Sequence, residues 1–466
     1  MNGRMGGLLG GLAVFALMLL LPAPVGMEVG AWRIAALTVL MAIWWMTEAM
    51  PLTVTALLPF LLTPLFGVMT ANEIAGEYYS PILFLLLGGA FLALAIERVG
   101  LHRRLAVAIL RLARPTSAGL IFAFMAATAL LSMFISNTST ALIMVPIALA
   151  VLAAGDVAEG ETGGFAGAVM MGIAFAASIG GLGTLVGSPT NAIAAGLIEK
   201  QLGVTIGFLD WMRFGVPVVL IAIPIAMLIL MRVQRLDRDT FDARGAAVAL
   251  GSNPAWSTAE RRVVPLLGLV FAAWVAQPWI EPLVPKGALT DGTIAIAGAM
   301  LLFVIPDGSG RPLLNWKEAD RAPWGVIMMF GGGLALAAAM TQSGLAAWLG
   351  NALEPLGTLP LFLLAAAIVA LTILITEFAS NVATASGIMP VLAALIATTG
   401  IDPVLLALPV AFAASWGFML PSGTGPNALA WSTGHIALPR MLGAGAALDV
   451  VGVPLLILTV WAVAAL

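Results

Sequence analysis

Apolar runs long enough to cross a bilayer follow one another along almost the whole chain, separated by short polar breaks. Backbone in lipid must satisfy its own hydrogen bonds, so each such run reads as a helix. The pattern predicts spans at 6–25, 31–47, 52–68, 82–97, 165–200, 212–232, 262–280, 288–305, 323–341, 403–433 and 443–465. Two more regions, 119–154 and 358–397, are apolar but interrupted by clustered small polar residues. The run Leu8 to Leu21 follows Arg4 in the manner of a secretion signal. Pro22 and Pro24 close it without a small-residue cleavage site, and further spans follow at once, so it is expected to stay as a first helix.

The interruptions are repeated. Ser136-Asn137-Thr138-Ser139-Thr140 returns 244 residues later as Ser380-Asn381-Val382-Ala383-Thr384, and Pro146 returns as Pro390 at the same offset. Gly88-Gly89-Ala90-Phe91-Leu92 pairs with Gly332-Gly333-Leu334-Ala335-Leu336, and Gly100-Leu101 with Gly344-Leu345, again 244 apart. After each interrupted region comes a second break, Gly187-Ser188-Pro189-Thr190-Asn191 and then Gly423-Thr424-Gly425-Pro426-Asn427. Matched breaks in two halves of an apolar chain are the sequence sign of a carrier built from repeats, with its site at the midplane.

Charge sets the relation between the halves. Arg98, Arg103, Arg104, Arg111 and Arg114 follow the first glycine-rich helix, whereas 341–360 contains no Lys or Arg. Basic short loops stay cytoplasmic, so equivalent segments face opposite sides and the repeats are inverted. The count requires each interrupted region to enter and leave by one face as a re-entrant helical hairpin. The expected fold is therefore an all-α polytopic membrane protein with eleven transmembrane helices and two re-entrant hairpins, N-terminus inside and C-terminus outside. Its parts are a first helix at 1–30, repeats at 31–232 and 262–466, and a polar cytoplasmic linker at 233–261.

Composition narrows the chemistry. Of 466 residues, 61% are hydrophobic and 9% charged, against roughly 25% charged in soluble domains. A net charge of −3 provides no basic field for nucleic acid. The chain has no Cys and two His, which excludes disulfides, thiolate chemistry and a histidine metal cluster. An intramembrane hydrolase would need a Ser with His or Lys, or paired Asp, at membrane depth, and the sequence offers neither, so an enzyme is not expected. A channel also fits re-entrant segments, but would not saturate with substrate.

The polar breaks suit small ions. Hydroxyls and carbonyls freed where a helix stops suit Na⁺, and helix N-termini favour anions. No Lys or Arg lies near either tip, so a carboxylate would be held without an ion-pair clamp. Glu377 has Met133 in its place in the first copy, so it is not part of the repeated site; it reads as a brace of the hairpin or a proton relay. Glu48 and Asp449 read as bracing or interface residues, His435 as a loop residue, and Gly331 to Gly333 as a packing surface.

The sequence resembles the divalent anion:sodium symporter family. The resemblance rests on Trp45-Met46-Thr47-Glu48-Ala49, Ser136-Asn137-Thr138, Thr376-Glu377-Phe378-Ala379-Ser380-Asn381, Phe418-Met419-Leu420-Pro421 and the two Gly-containing breaks. It implies a homodimer in the cell's inner (plasma) membrane. Scaffold helices at 31–118 and 262–357 would support moving parts, each a hairpin and a broken helix, at 119–232 and 358–466, working as an elevator. It implies Na⁺-coupled symport of C4-dicarboxylates such as succinate, malate and fumarate, the alternatives being a sodium-independent exchanger or a citrate or sulfate carrier of the same fold. By matching position, Ser132, Ser136, Asn137 and Gly187 would ligate one Na⁺, and Thr376, Ala379, Asn381 and Gly423 another. Asn137, Thr138, Ser188, Ser380, Asn381 and Thr424 would meet the substrate. Val382 and Gly425 depart from the usual Thr and Pro, which bears on substrate choice.

Overall fold

The computed structural model describes residues 2–114, 116–155, 157, 161–236 and 255–466. The central part of the linker, 237–254, lies outside these residues. In the first half the helices are α1 (Asn2–Leu20), α2 (Val29–Thr47), α3 (Leu52–Thr55), α4 (Leu58–Leu65), α5 (Ala71–Gly76), α6 (Pro81–Val99), α7 (Leu101–Leu110), α8 (Ser117–Ser132), α9 (Asn137–Ala154), α10 (Gly164–Gly181), α11 (Pro189–Leu202) and α12 (Phe208–Val233). In the second they are α13 (Thr258–Ile280), α14 (Asp291–Leu302), α15 (Trp316–Ala319), α16 (Trp324–Gln342), α17 (Leu345–Leu353), α18 (Leu361–Phe378), α19 (Asn381–Thr399), α20 (Pro403–Ala413), α21 (Gly425–Ser432) and α22 (Leu438–Ala464). Among the described residues no strand forms beyond one isolated bridge between Pro306 and Pro312.

Ten helices are long and apolar enough to cross a membrane among the described residues. The arms α9, α18 and α19 of the interrupted regions are among them, so length alone does not separate spanning helices from re-entrant ones. The expected helix at 52–68 is two pieces, α3 and α4. Pro59 lacks an N–H and sits at the start of α4, where the chain restarts.

Two helices replace what the charge pattern suggested were loops. Gly100 and Gly344 both adopt φ +79°, and each ends a glycine-rich helix and opens a short one, α7 or α17. Only glycine takes that conformation without strain. Both short helices are amphipathic, which a count of basic residues does not register. Arg104, counted as a cytoplasmic loop charge, is buried on α7: its Nε donates to Glu260 Oε1 at 2.6 Å, and its guanidinium stacks over Trp256 at 4.4 Å. Arg98 at the end of α6 joins Asp307 and Glu318 and donates to the Pro312 carbonyl at 2.8 Å.

The halves pack reciprocally. α6 of the first half lies on α14 of the second, and α16 of the second lies on α3 and α4 of the first. Glycines allow both approaches. A Cβ on Gly88 would stand 2.6 Å from the Ala295 carbonyl carbon, and one on Gly332 would stand 2.3 Å from the Ala56 carbonyl oxygen. Gly331 meets the Tyr78 carbonyl in the same way. Nearer the breaks, α9 packs on α21 and α11 on α19, each pair drawn from different halves.

Candidate functional site

Both interrupted regions are helical hairpins with tight tips. α8 ends at Ser132 and α9 begins at Asn137; α18 ends at Phe378 and α19 begins at Asn381. Ser136 Oγ accepts from Ser139 N at 3.2 Å, and Ser380 Oγ from Ala383 N at 3.1 Å. Each tip serine thus caps the helix that follows it and satisfies a donor that the helix leaves free.

The asparagine that follows turns back into the hairpin. In the first, Ser132 Oγ lies 2.6 Å from Ala177 O and 2.7 Å from Asn137 Oδ1. In the second, Thr376 Oγ1 lies 2.7 Å from Ala414 O and 2.9 Å from Asn381 Oδ1. A hydroxyl carries one proton and donates once. One of the two contacts in each set is therefore oxygen against oxygen with no hydrogen between. In the first set the amide position of Asn137 also lies 3.3 Å from Gly187 O. With nitrogen turned inward, its two N–H groups have Ser132 Oγ, Ala177 O and Gly187 O within reach and satisfy the set. With oxygen turned inward, four oxygens face one another, which a hard monovalent cation satisfies. Gly187 Cα sits over this group: a Cβ there would stand 3.0 Å from both Ser132 O and Met133 O.

The breaks that flank each set are held open by their own asparagines. Asn191 Nδ2 donates to Gly181 O at 2.7 Å and to Thr184 O at 2.8 Å, and Asn427 Nδ2 donates to Leu420 O at 3.0 Å. Trp211 Nε1 donates to Leu182 O at 2.8 Å. In the second break the Glu377 carboxylate accepts from Phe418 N, from Met419 N at 2.9 Å and from Leu420 N at 3.1 Å. Irregular backbone at this depth persists because each strand of it has such partners.

All six candidate substrate residues sit at helix starts. Asn137 and Thr138 open α9, Ser188 stands just before α11 without bonding its first turn, Ser380 caps and Asn381 opens α19, and Thr424 caps α21. Thr424 Oγ1 accepts from Asn427 N at 3.2 Å. Thr138 reaches across to the other half, where a Cβ on Gly425 would stand 2.3 Å from its Oγ1. A helix N-terminus presents unpaired N–H groups and partial positive charge, so this arrangement suits an anion without a cationic side chain.

Residues 4–465 match the family model described as the sodium:sulfate symporter transmembrane region. The chain belongs to this family, the divalent anion:sodium symporters. The sodium-dependent dicarboxylate transporter SdcS of Staphylococcus aureus strain USA300 is 36% identical over 481 residues, covering 98% of this chain and 91% of that one. SdcS of strain MRSA252 is 36% identical over 482 residues, covering 99% and 91%. Among solved structures, the YdaH transporter of Alcanivorax borkumensis aligns with a TM-score of 0.53 at 17% identity, over 98% of this chain and 94% of that one, a likeness of fold alone.

Against the family's expected ligands, the structure brings Ser132, Asn137 and Gly187 together, and Thr376 with Asn381. Ser136 is turned instead toward Ser139 as a cap. Ala379 ends α18 in extended conformation beside Ser380. Gly423 faces the Glu377 side, where a Cβ would stand 3.6 Å from its carbonyl oxygen. The carbonyls of Ala177 and Ala414 were missed by sequence reasoning, because a backbone oxygen leaves no mark in side-chain identity. Glu377 accepts backbone N–H groups of the second break and so braces it. His435 Nδ1 lies 3.0 Å from Glu161 O, a contact between loops. Glu48 is exposed at the end of α2 with Arg4 nearby.

Proposed function

We propose that this chain carries C4-dicarboxylates such as succinate, malate and fumarate across the plasma membrane by symport with Na⁺. The observation that carries the reading is the doubled grouping of a hydroxyl, an asparagine amide and a backbone carbonyl at Ser132–Asn137–Ala177 and Thr376–Asn381–Ala414. Two such groups, each beside a helix start, pair a monovalent cation with an anion at each half of the site. The sodium-dependent dicarboxylate transporters that align with it supply the substrate class.

In this reading Ser132, Ser136, Asn137 and Gly187 hold one Na⁺, and Thr376, Ala379, Asn381 and Gly423 the other. Asn137, Thr138, Ser188, Ser380, Asn381 and Thr424 hold the dicarboxylate, one carboxylate toward each half. Na⁺ binds first, turning each asparagine oxygen inward and leaving the amide N–H for the substrate. The repeats 31–232 and 262–466 are inverted, with a cytoplasmic N-terminus. The regions 119–232 and 358–466 move as one body against scaffold helices 31–118 and 262–357 in a homodimer.

The test is labelled succinate uptake into proteoliposomes. Uptake is expected to follow an inward Na⁺ gradient and to saturate with succinate. Counterflow of succinate at full rate in choline, indifferent to Na⁺, would make the protein an exchanger instead. Preference for citrate or sulfate would move the substrate and leave the site in place.

A further inference from the structure

The short helix α7 carries more positive charge than its packing uses. Arg98, just before it, is paired with Asp307 and Glu318, and Arg104 within it is paired with Glu260. Arg103 is exposed and forms no hydrogen bond or ion pair among the described residues. The repeated architecture does not account for it. At the 244-residue offset the segment after Gly344 keeps the leucines of α7, Leu105 as Leu349 and Leu112 as Leu356. It answers His102, Arg103 and Arg111 with Ala346, Ala347 and Pro355. A topological signal needs charge near one face of the bilayer, but not a cavity beside that charge.

There is such a cavity. Arg103 and His102 line a space of about 380 Å³ between α7 and α9, within the roughly 300–1,000 Å³ of small-molecule sites. Its other walls are apolar, from Val107 on α7 and from residues of α9 between Leu142 and Ala150. Leu142 and Ala150 are exposed, so the α9 wall is not covered by the rest of the protein. His102 Nδ1 lies 3.1 Å from Ile96 O, which leaves Arg103 as the cation of the cavity.

The two characters of the cavity select its occupant. A soluble anion would pair with Arg103 and leave the aliphatic wall bare. A neutral apolar molecule would cover the wall and leave the guanidinium without an acceptor. A phospholipid with an anionic headgroup does both, because a guanidinium donates to a phosphate in a two-pronged geometry and an acyl chain lies along a helix wall. Basic pockets between membrane helices hold anionic headgroups in this way. We propose that the α7–α9 cavity binds one anionic phospholipid, its phosphate at Arg103 and an acyl chain against Ile143 and Ile147. The site shares no residue with either oxygen group and does not depend on which ion is carried. Because α7 packs on α8, the first arm of the hairpin, and α9 is the second, the lipid ties both arms to the helix that follows α6.

Native mass spectrometry of the delipidated protein in detergent tests it, with dioleoyl phosphatidylglycerol and dioleoyl phosphatidylcholine titrated separately. The first phosphatidylglycerol is expected to bind about fivefold more tightly than the first phosphatidylcholine, the effect of one basic residue beside an anionic lipid. Arg103→Ala is expected to erase this preference and Arg103→Lys to keep it. Arg261→Ala, which removes another exposed charge outside the cavity wall, is expected to leave it intact. Equal or absent binding of the two lipids by the wild type overturns the proposal, as does a preference that survives Arg103→Ala. Equal loss in Arg261→Ala would assign the preference to the basic surface at large and overturn it too. Glycerol 3-phosphate is expected not to displace the bound lipid; displacement would make the cavity a soluble-anion site instead.

Discussion

A Cβ on Gly425 would stand 2.3 Å from Thr138 Oγ1, so the tip of the first hairpin and the second broken helix touch through a hydroxyl and a bare backbone. The contact joins the two halves at the candidate anion site. Gly425→Ala is expected to push Thr138 away and cut succinate uptake at least tenfold. Adding Thr138→Ala removes the clashing oxygen, leaves the Thr138 Cβ at 3.3 Å, and is expected to restore part of the rate. Uptake by Gly425→Ala at the wild-type rate would show that this contact does not shape the site.

The two oxygen groups are expected to act separately on Na⁺. Ser132→Ala and Thr376→Val each remove one ligand while leaving the asparagine and the carbonyl in place. A lost contact of roughly 1 kcal/mol predicts a several-fold rise in Na⁺ half-saturation for either variant. The Hill coefficient, expected above one in the wild type, falls toward one. Titrating Na⁺ against fixed succinate measures both; a wild-type coefficient of one removes the two-site model.

Val382 follows Asn381 as Thr138 follows Asn137, and it brings no hydroxyl to the second half of the site. Val382→Thr is expected to alter the ratio of succinate to citrate or sulfate uptake, because a polar contact discriminates between substrates where an apolar one does not. Competition assays read this directly. A change in rate with the ratio unchanged would place residue 382 away from the substrate.

Arg98 and the neighbouring Ser309 hold Asp307 well below the usual carboxylate range, the hydrogen bonds from Ser309 contributing most. A lowered carboxyl stabilises the fold at pH above its unfolded value and loses that contribution as pH falls through the folded one. Asp307→Asn is therefore expected to melt below wild type at pH 7. The gap should close as both are acidified below the ordinary carboxylate range. Thermal unfolding in detergent across pH checks this; a gap that widens on acidification would contradict it.

Inversion of the repeats is open to labelling in a chain without cysteine. Arg103, exposed on α7 where Arg104 is not, lies one residue from the position that matches Trp348 on α17 at the 244-residue offset. Arg103→Cys is expected to react with an impermeant thiol reagent from the cytoplasm and Trp348→Cys from outside. Labelling of both from one side would refute the inverted arrangement.

Much of this architecture was legible because membrane helices announce themselves by hydropathy and because the repeat marks its own breaks. Asn137 and Asn381 stood out as polar residues in apolar surroundings, and both turn into their hairpins. Ala177 and Ala414 did not, since their contribution is a carbonyl. Helix α7 was hidden by arginines that read as loop charge, although Gly100 marked its start as Gly344 marked that of α17. Arg104 shows the limit of charge counting: its partner Glu260 is 156 residues away, and only folding brings them together.

The glycine faces of α6 and α16 bear on how the chain is made. Gly88 awaits Ala295, and Gly332 is seated on Ala56. As synthesis proceeds, α6 enters the bilayer some two hundred residues before the helix that covers it has been translated. Likewise α9 and α11 are laid down long before α21 and α19. The first half must therefore wait in lipid with its close-packing surfaces bare, and it cannot settle as a finished unit. Assembly should be a late event that closes both halves together, so that a truncated first half is a target for membrane quality control while two separately expressed halves can complete each other.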